Sequence, residues 1–432
     1  MTQQSGLRNA VLVDGVRIPF LRSGSDFKNL MSYDLGQMAI KSLLTRTQID
    51  PGKVDWVMLG SVVSNLSTSN VARDAALAAG IPPHVPAATV ILACVSANKA
   101  ITGAIDLIRT GQADVVIAGG TESLSDIPIR FRKRFRQKLI ESQKYRGVFD
   151  YLKFFKGLRP ADLLPEIPSI SEFSTGRTMG QDCDRLAARI GVSREEQDAF
   201  ALQSHHNAAR AVENGWLKPE IAPARIPPKF KIVEEDNGIR GDTTLDRLAG
   251  LKPAFVKPYG TLTAGNSSFL TDGAAVTLIM AEETARALGY QPKARFRSYA
   301  YTAQDPEDEL LLGPAYATPK VLDQAGLSLK DIQVFEFHEA FAAQVVANLK
   351  CLDSDQFARE KLGRDQKVGA VPPEKLNSWG GSLSLGHPFG ATGARLVTTA
   401  ANRLIQEDGE FALIASCAAG AVGNAMVLER CR

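Results

Sequence analysis

The chain is 432 residues long, which is too long for one ordinary hydrophobic core, so we expect two or three structural units. Its composition, 44% hydrophobic and 22% charged, is typical of a soluble globular protein, and no apolar run reaches the length of a membrane span. Five scattered cysteines without a CxxC pair argue against a disulfide framework and a structural zinc site. The first residues lack the pattern of a secretory signal, and we expect a reducing, cytoplasmic setting.

Short runs rich in β-forming residues alternate with longer amphipathic segments, and this pattern predicts an α/β fold with covered sheets. ADVVIAGG, residues 113–120, is predicted to be a buried strand that ends in glycines. FALIASCAAG, residues 411–420, has the same form. The strand pattern also returns within residues 261–281, which we expect to complete the first part of the fold.

Two segments of the sequence repeat one another without a gap. KSLLTRTQIDPGKVDWVMLG begins at Lys41 and PKVLDQAGLSLKDIQVFEFH begins at Pro319, and each predicts a helix, a short loop and a strand. A second correspondence follows, because helix-like segments after Cys94 and after GHPFGATG lead to the two glycine-ended strands. The repetition predicts two similar α/β halves whose equivalent ends face one another and share a site.

The halves are interrupted by a region of different composition. We predict an N-terminal half formed by residues 1–121 and 251–290 and a C-terminal half formed by residues 291–432. Between them, residues 122–250 break the pattern with clusters of Pro, Arg and Lys, and we predict an inserted loop domain there.

The inserted region contains a strongly basic segment. Residues 130–159 hold eleven Lys and Arg against Glu141 and Asp150, a formal charge of +9, so the rest of the chain carries −6. Within it, apolar and basic residues recur at helical spacing on opposite faces: Val148, Tyr151, Leu152, Phe155 and Leu158 on one, and Lys153, Lys156 and Arg159 on the other. The pattern fits a solvated helix packed on its own domain, a helix at a membrane surface or against a partner, or a site for substrate phosphates. Nucleic-acid binding is not expected, because the rest of the chain is acidic and contains no known module.

Cys94 is the first candidate for chemistry. It ends an apolar run, where a cysteine is usually an inert core residue. The following segment, SANKAITGAIDLIRTG, is predicted to be a helix, and a helix N-terminus stabilises a thiolate. The position between a strand and a helix also lies at the sheet edge where open α/β folds bind ligands.

Three more residues, all in the predicted C-terminal half, fall at strand and loop ends equivalent to the position of Cys94 in the N-terminal half. Of the five histidines, His387 lies in a glycine-rich loop that lacks Walker or GxGxxG spacing, and His338 ends a strand before a helix. Cys417 lies at the matching strand end of the second half. Each alone can be a structural residue, but their equivalent positions favour one site shared with Cys94.

The chain resembles the thiolase family, whose members are 3-ketoacyl-CoA or acetyl-CoA acyltransferases. Five motifs carry this resemblance in order along essentially the whole chain: ACVSANKA, AGNSSFLTDGAA, HEAFAAQ, NSWGGSLSLGHPFGATGAR and CAAGAVGNAMVLE. HEAF in place of the common NEAF, the basic insertion and STGRTMGQDCDRLAARIG are similar to the β-subunits of the fatty-acid β-oxidation trifunctional complex and their bacterial counterparts. The resemblance implies a thiolase-like fold of two duplicated layered halves (αβαβα) with an inserted loop domain.

The resemblance also implies a reaction, namely cleavage of 3-ketoacyl-CoA by CoA to acetyl-CoA and a shortened acyl-CoA by a ping-pong route. Cys94 would attack the keto carbon as a thiolate, and His387 would take its proton. Cys417 would act as the general acid that delivers a proton to the enolate carbon. His338, with a water, would hold the enolate oxygen, and the backbone N–H groups of Cys94 and Ala419 would hold the second oxyanion.

By the same resemblance, one loop and two side chains would bind the substrates. Ser268, Ala264 and Gly265 would contact the pantetheine of CoA, and Met179 and Phe341 would line the acyl or pantetheine slot, although both are also typical core residues. No metal and no organic cofactor are implied, since coenzyme A is itself the substrate.

The chain departs from the family at three positions. Thr178 stands where short-chain thiolases place a CoA-contacting histidine, so that contact is in doubt. Ala97 and Lys99 replace the glycine and glutamine of the usual CxSGxQA motif. We expect the added bulk near the nucleophile to alter the preferred acyl-chain length.

These observations favour a degradative 3-ketoacyl-CoA thiolase acting on medium to long chains, and the alternative is a biosynthetic acetoacetyl-CoA thiolase. A decarboxylating ketoacyl synthase of the same fold needs no second cysteine, so Cys417 argues against it, while a non-enzymatic lipid-binding relative is expected to lack Cys94. The resemblance implies a homodimer and a hydratase/dehydrogenase subunit as partner. A membrane-surface contact through residues 130–159 would make the cytoplasmic protein membrane-associated.

Overall fold

The computed structural model describes residues 7–166 and 170–432. The chain divides into two units, one formed by residues 1–126 with 171–432 and the other by residues 127–170. The first unit is called the main unit below and the second the basic unit. The predicted boundaries of the two halves and of the inserted domain at 122–250 stay predictions.

The described residues contain fourteen strands. In chain order, β1 to β14 are Ala10–Arg17, Leu21–Arg22, Trp56–Gly60, Ala87–Val90, Val115–Glu122, Arg130–Phe131, Pro165–Glu166, Ala224–Ile226, Lys231–Val233, Thr271–Ala281, Ala294–Ala303, Val334–Phe337, Phe411–Ala418 and Val422–Arg430.

The same residues contain fourteen α-helices. In chain order, α1 to α14 are Ser32–Thr47, Val71–Ala78, Ser96–Arg109, Lys133–Ser142, Val148–Phe155, Met179–Ile190, Arg194–Glu213, Leu245–Ala249, Glu282–Ala287, Gly313–Ala325, Ala342–Leu352, Asp355–Phe357, Ser382–Leu385 and Thr392–Gln406. Short 3₁₀ turns lie at Pro51–Lys53, Pro160–Leu163, Leu329–Asp331 and Pro373–Lys375. One π-helical turn lies at Ala358–Leu362. No helix among the described residues is both long and apolar enough to cross a membrane.

A ten-stranded sheet runs through the main unit in the order β12-β13-β14-β11-β1-β10-β5-β3-β4, with β2 paired to β10. The pairs β3–β4, β3–β5 and β12–β13 are parallel, and the other pairs are antiparallel. The two halves of the sheet join at β1 and β11, where Val11 lies opposite Arg295 and Leu12 lies opposite Ala294. All residues of β5 and β10 are buried, as expected for central strands covered on both faces.

Three hydrophobic clusters show how helices cover the two half-sheets. Helices α1 and α2 pack on the outer face of the half-sheet that holds β5 and β10. Helices α10 and α11 pack on the outer face of the other half-sheet. Helices α3 and α14 lie between the half-sheets, in contact with strands of both. The layers are therefore helix, sheet, helix, sheet, helix, and the predicted layered α/β fold is confirmed.

The gapless repeat of the sequence corresponds to the same elements in both halves. The first copy covers the end of α1, a 3₁₀ turn and β3, and the second covers α10, a 3₁₀ turn and β12. Leu44, Val54 and Val57 in the first copy are buried, as are their counterparts Leu322 and Ile332 in the second. The matching elements follow from the shared spacing of apolar positions.

The basic unit has a small aromatic cluster of its own. Phe135 packs edge-on against Phe131 and Phe154, with ring centroids 4.9 and 5.8 Å apart. The predicted single basic helix is two helices, α4 and α5, separated by residues 143–147. The apolar side chains of α5 are largely exposed, with Phe149 at 81% and Leu152 at 64%. The side chain of Lys153, predicted on the opposite face, lies outside the described structure.

Candidate active site

Cys94 lies on a tight turn between β4 and α3. Ala93 has a φ of 45°, in the left-handed region, which turns the chain sharply before the helix. The Ser96 hydroxyl fixes this turn, because it donates to the Ala93 carbonyl at 2.7 Å and accepts from the Leu92 N–H at 2.8 Å. The turn places Cys94 at the N-terminus of α3, where the sequence predicted it; the residue as a whole is half-buried, while its thiol is enclosed by neighbouring groups.

The Cys94 thiol is not activated in the free enzyme. Burial raises its pKa to about 12, and the nearby charge of Glu122 raises it further, while hydrogen bonds from the Ala419 and Cys94 N–H groups lower it. The stabilisation of a thiolate by the helix N-terminus stays a prediction. Because burial disfavours the charged thiolate in the free enzyme, a base must remove the proton.

Two imidazoles lie beside this thiol. His338 directly follows β12 and its N–H donates to the Ala415 carbonyl at 2.8 Å, while the His387 N–H, in the loop before α14, donates to Thr271 Oγ1 at 3.0 Å. The two ring centroids are 4.1 Å apart. One nitrogen of each ring and the Cys94 Sγ all lie within 4.8 Å of one another. Residues separated by almost 300 positions are thus brought together.

Both imidazoles are neutral in the folded protein. Burial, and then the charge of Arg395, lower the pKa of His338 to about 3. Burial, and then the neighbouring His338 and Arg395, lower the pKa of His387 well below its usual value. A neutral imidazole has one nitrogen that accepts a proton and one that donates, so each ring can serve either purpose. A thiol with two neutral imidazoles also forms a ligand set that suits Zn²⁺, and the predicted absence of a metal stays a prediction.

Cys417 lies near the end of β13 and is buried. Burial raises its pKa well above the usual value, and the neighbouring charge of Cys94 raises it further. At neutral pH such a thiol is protonated, so it holds a proton that it can donate.

The turn between β13 and β14 completes the group. The backbone N–H of Ala419 donates a hydrogen bond to the Cys94 sulfur. The next N–H, of Gly420, donates to Glu172 Oε2 at 2.7 Å, and this bond anchors the turn. The two predicted backbone donors, the N–H groups of Cys94 and Ala419, therefore both point to the Cys94 sulfur.

Sequence reasoning missed a buried carboxyl group behind the nucleophile. Glu122, the last residue of β5, accepts hydrogen bonds from the N–H groups of Val62, Val63 and Gly390, all at 2.9–3.0 Å. Burial raises its pKa to about 7. The available signal was an acidic residue two positions after the apolar, glycine-ended run 113–120. Its hydrogen bonds tie the His387 loop to the half-sheet that supports Cys94.

The predicted CoA-binding residues fall into two groups. Ala264 is exposed and Gly265 is half-buried, and both line a surface cavity of about 270 Å³. Ser268 is also half-buried, and its N–H donates to the Ala340 carbonyl in the HEAF segment at 2.9 Å. Phe341 and Met179 belong instead to the core cluster around α11, in which Phe341 packs edge-on against Phe255.

The same cavity contains three arginines that the sequence analysis did not single out, namely Arg22, Arg240 and Arg247. Arg22 lies over the Phe269 ring at 3.9 Å. Burial, and then the charges of Arg22 and Arg240, lower the pKa of His205 to about 4. Arg247 is paired with Asp242 at 2.7 Å, so Arg22 and Arg240 supply the positive charge of the cavity next to the AGNSSF loop, which suits an anionic ligand. Because Arg22 lies more than 200 residues before Arg240 and Arg247, the sequence gave no signal that the three arginines converge.

The three departures from the family are also placed by the structure. Thr178 caps α6, since its Oγ1 accepts from the Gln181 N–H at 3.3 Å. Ala97 is fully buried in the core between α3 and α14, and the exposed Lys99 has its Nζ 5.7 Å from the Tyr301 ring centroid. The expected effect of Ala97 and Lys99 on acyl-chain length stays a prediction.

Comparison with known proteins agrees with this geometry. Residues 10–283 match the model of the thiolase N-terminal domain, and residues 290–430 match that of the thiolase C-terminal domain. The chain is 55% identical over 423 residues to the mitochondrial trifunctional enzyme subunit beta of Bos taurus, covering 98% of this chain and 88% of that protein. It is 44% identical over 419 residues to a 3-ketoacyl-CoA thiolase of Yersinia pestis, covering 97% and 96% of the two chains.

A solved structure shares the fold along the whole chain. The human mitochondrial 3-ketoacyl-CoA thiolase in complex with CoA superposes with a TM-score of 0.84 at 30% sequence identity, covering 98% of each chain. Family models that together span nearly the whole sequence, relatives of high identity and a common fold lead to one conclusion. The chain belongs to the thiolase family and is an acyltransferase.

Proposed function

We propose that this enzyme cleaves 3-ketoacyl-CoA with CoA, giving acetyl-CoA and a shortened acyl-CoA, as a thiolase of fatty-acid β-oxidation. The observation that carries the proposal is the grouping of the Cys94 thiol with the imidazoles of His338 and His387 within 4.8 Å. The relatives of this chain that are named as 3-ketoacyl-CoA thiolases and as a trifunctional enzyme subunit beta support the degradative direction of the reaction.

The first step is attack by Cys94. Because burial holds its pKa near 12, the thiol needs a base, and His387 takes the proton as Cys94 Sγ bonds to the keto carbon. The Cys94 and Ala419 N–H groups, which already converge on the sulfur, are positioned to stabilise an oxyanion beside it. Removing one such donor typically costs a factor of about 10²–10³ in kcat.

The second step breaks the bond between Cα and Cβ. The acyl group stays on Cys94, and the departing acetyl-CoA enolate places its oxygen near His338, which acts as a hydrogen-bond donor. Cys417 delivers its proton to the enolate carbon, and its raised pKa keeps that proton available at neutral pH. The Cys417 thiolate then takes the proton of the incoming CoA thiol, whose sulfur attacks the acyl-Cys94 thioester. Cys94 leaves as a thiolate and takes back the proton that His387 holds, which releases the shortened acyl-CoA and restores the free enzyme.

CoA binds along the positive cavity next to the AGNSSF loop. Pantetheine lies against the segment that holds Ala264, Gly265 and Ser268, and the phosphates lie near the arginines of the cavity. Met179 and Phe341 stay candidates for the wall of the slot. The reaction needs no metal and no organic cofactor.

A thiolysis assay across acyl-chain lengths tests the function. We expect activity on medium and long 3-ketoacyl-CoA substrates, an acyl group on the Cys94 peptide by mass spectrometry, and no turnover by a Cys94→Ala variant. Activity that survives in this variant contradicts the mechanism. Activity confined to acetoacetyl-CoA supports instead the biosynthetic alternative.

We also propose that the enzyme is a homodimer that assembles with a hydratase/dehydrogenase subunit. The relatives named as subunits of a trifunctional enzyme support the second part. The terminal position of β4 in the sheet supports the first, because an edge strand offers unpaired backbone groups to a second copy. Light scattering of the enzyme alone and mixed with that subunit tests both, and a monomer that ignores the subunit contradicts both.

The proposed location is the cytoplasm, with attachment to a membrane surface through residues 130–159. The basic charge of this segment and the exposed apolar side chains of α5 support a surface-binding role. Fractionation of cells into cytosol and membranes tests the location.

A further inference from the structure

Two hydroxyl side chains hold the imidazoles of the active site from behind. Thr392 Oγ1 lies 2.7 Å from His387 Nδ1, and Ser382 Oγ lies 3.2 Å from His338 Nδ1. The Nε2 atom of each ring is buried and has no hydrogen-bond partner among the described residues. Each imidazole is therefore fixed at Nδ1 and leaves Nε2 for the reactants. If the hydroxyl donates its proton to Nδ1, the ring hydrogen lies on Nε2. If the hydroxyl accepts from Nδ1, the ring hydrogen lies on Nδ1.

The Thr392 hydroxyl has an acceptor other than His387. Thr392 Oγ1 is positioned to donate its proton to the Pro388 carbonyl at 3.0 Å, in the same turn of the His387 loop, and that carbonyl also accepts from the N–H groups of Ala391 and Thr392. The oxygen can then only accept from the imidazole, so His387 Nδ1 must carry the hydrogen. In a neutral ring this leaves Nε2 with a free lone pair. His387 is thereby set as a proton acceptor.

The Ser382 hydroxyl is constrained in the opposite sense. Arg395 Nη2 donates to Ser382 Oγ at 3.3 Å, and a guanidinium group can only donate. Within the described part of the chain, His338 Nδ1 is the one acceptor in hydrogen-bonding distance of this hydroxyl. The Ser382 proton therefore points to His338 Nδ1, and the ring hydrogen lies on Nε2. His338 is thereby set as a donor.

Arg395 is itself held firmly. It is fully buried and pairs with Glu336 at 3.2 Å, and the same carboxylate pairs with Arg403 at 2.7 Å. Its guanidinium group cannot rotate away without leaving a buried charge unpaired, which is strongly unfavourable. The direction of the Ser382 hydroxyl is thus fixed by a network that reaches from β12 to α14.

We propose that Thr392 and Ser382, the latter oriented by Arg395, are positioning residues that fix His387 and His338 in opposite tautomers. Although the two rings are only 4.1 Å apart, they cannot exchange roles: His387 offers a lone pair to the Cys94 thiol and His338 offers an N–H to an oxyanion. The use of these atoms in catalysis rests on the proposed function. The tautomers themselves follow from the hydrogen bonds of the free enzyme.

Nuclear magnetic resonance of the full-length enzyme with ¹⁵N-labelled histidine tests the proposal. Two-bond nitrogen–proton correlations distinguish a ring protonated at Nδ1 from one protonated at Nε2, and His338→Asn and His387→Asn variants assign the signals. We expect His387 protonated at Nδ1 and His338 at Nε2 in the enzyme without substrate. The same tautomer in both rings overturns the proposal.

Variants of the two hydroxyls give the second readout. Thr392→Val keeps the shape without the hydroxyl, so we expect the His387 signal to move toward the other tautomer and kcat to fall about 10²-fold with little change in KM. Thr392→Ser keeps the hydroxyl, so we expect this variant to show the His387 signal and the kcat of the unchanged enzyme. Ser382→Ala is expected to perturb His338 alone. Ser384→Ala is the matched control, since this buried hydroxyl contacts Ser204 and the Gly381 carbonyl and no histidine.

The two readouts separate this proposal from the proposed function. Opposite tautomers in an enzyme without thiolysis activity leave the positioning intact and contradict the function. Thiolysis activity with unchanged His387 tautomer in Thr392→Val contradicts the positioning. A fall in kcat without a change in the histidine signals shows a merely structural role for Thr392 and overturns the proposal as well.

Discussion

At the scale of single residues, burial determines the protonation states that the active site uses. The same low-polarity surroundings raise the pKa of Cys94 and Cys417 and lower the pKa of His338 and His387, because burial disfavours every charged form. The resting site therefore holds neutral groups. Charge develops only when substrate is bound and the proton of Cys94 moves to a base. In this respect the site differs from cysteine enzymes whose resting state is a thiolate–imidazolium pair.

The first prediction concerns alkylation of Cys94. Since its pKa is raised to about 12, the thiolate fraction is small at neutral pH and grows about tenfold for each pH unit. We expect the rate of Cys94 modification by iodoacetamide in the free enzyme to rise steadily between about pH 6 and 9, measured on the Cys94 peptide by mass spectrometry. A Cys94→Ser variant controls for the other thiols. A rate that levels off below neutral pH would show a preformed thiolate and contradict the prediction.

The second prediction concerns the positive cavity. If Arg240 holds a CoA phosphate, Arg240→Ala should raise KM for CoA by about 10- to 150-fold with kcat nearly unchanged, because a charge-assisted hydrogen bond contributes about 1.5–3 kcal/mol. A pantetheine thiol, which lacks the terminal phosphates, should be used equally well by both enzymes. Arg185→Ala, on the exposed side of α6, is the control. An equal loss with CoA and pantetheine would exclude the phosphate contact.

At the scale of elements, the sequence was sufficient where patterns are local. The spacing of apolar residues predicted α3, β5, α14 and β13, and the strand ends located Cys94, His338 and Cys417. The Glu122 hydrogen bonds and the arginine cavity could not be predicted, because their members come from segments far apart in the chain. The sequence reveals that Cys94 precedes a helix N-terminus, but it does not reveal the burial that raises the pKa of the Cys94 thiol.

A glycine permits the central helices to approach closely. A Cβ on Gly393, in the first turn of α14, would lie 2.0 Å from Asn98 Oδ1 and 2.8 Å from the Asn98 backbone nitrogen in α3. Asn98 is also fixed, as its Nδ2 donates to Asn424 Oδ1 at 2.9 Å. The site depends on this contact, because Thr392 begins α14 and Cys94 precedes α3.

The third prediction follows from this approach. Gly393→Ala should destabilise the protein by about 1–3 kcal/mol, since overpacking forces the helices apart, and should lower kcat as His387 moves from Cys94. Thermal unfolding and a thiolysis assay measure the two effects. Gly250→Ala is the matched control, because a Cβ there meets ordinary contacts at 3.6 Å. Equal stability of both variants would show that α3 and α14 can separate without cost.

At the scale of the whole molecule, the strongly basic segment and the catalytic residues lie in different parts of the chain. Residues 130–159 carry +9 and the rest carries −6, while the groups with shifted pKa around Cys94 all belong to the main unit. Four large apolar side chains of α5, Val148, Phe149, Leu152 and Phe155, are each more than 60% exposed. Such a combination of basic charge and apolar exposure is typical of surfaces that bind anionic lipid or a protein partner.

The fourth prediction separates these two uses of the basic unit. Phe149→Asp with Leu152→Asp removes apolar area and adds negative charge, so we expect at least a tenfold loss of binding to whatever α5 contacts, with thiolysis unchanged. Sedimentation with vesicles that contain anionic lipid measures membrane binding, and light scattering with the hydratase/dehydrogenase subunit measures assembly. Ile405→Asp, an exposed apolar position of α14 in the main unit, is the control.

If the double variant loses vesicle binding, and if added salt causes the same loss in the unchanged enzyme, α5 binds a lipid surface. If the double variant loses only assembly with the subunit, α5 binds the subunit. Unchanged binding in both assays would leave α5 as a solvated helix and contradict the docking role of residues 130–159.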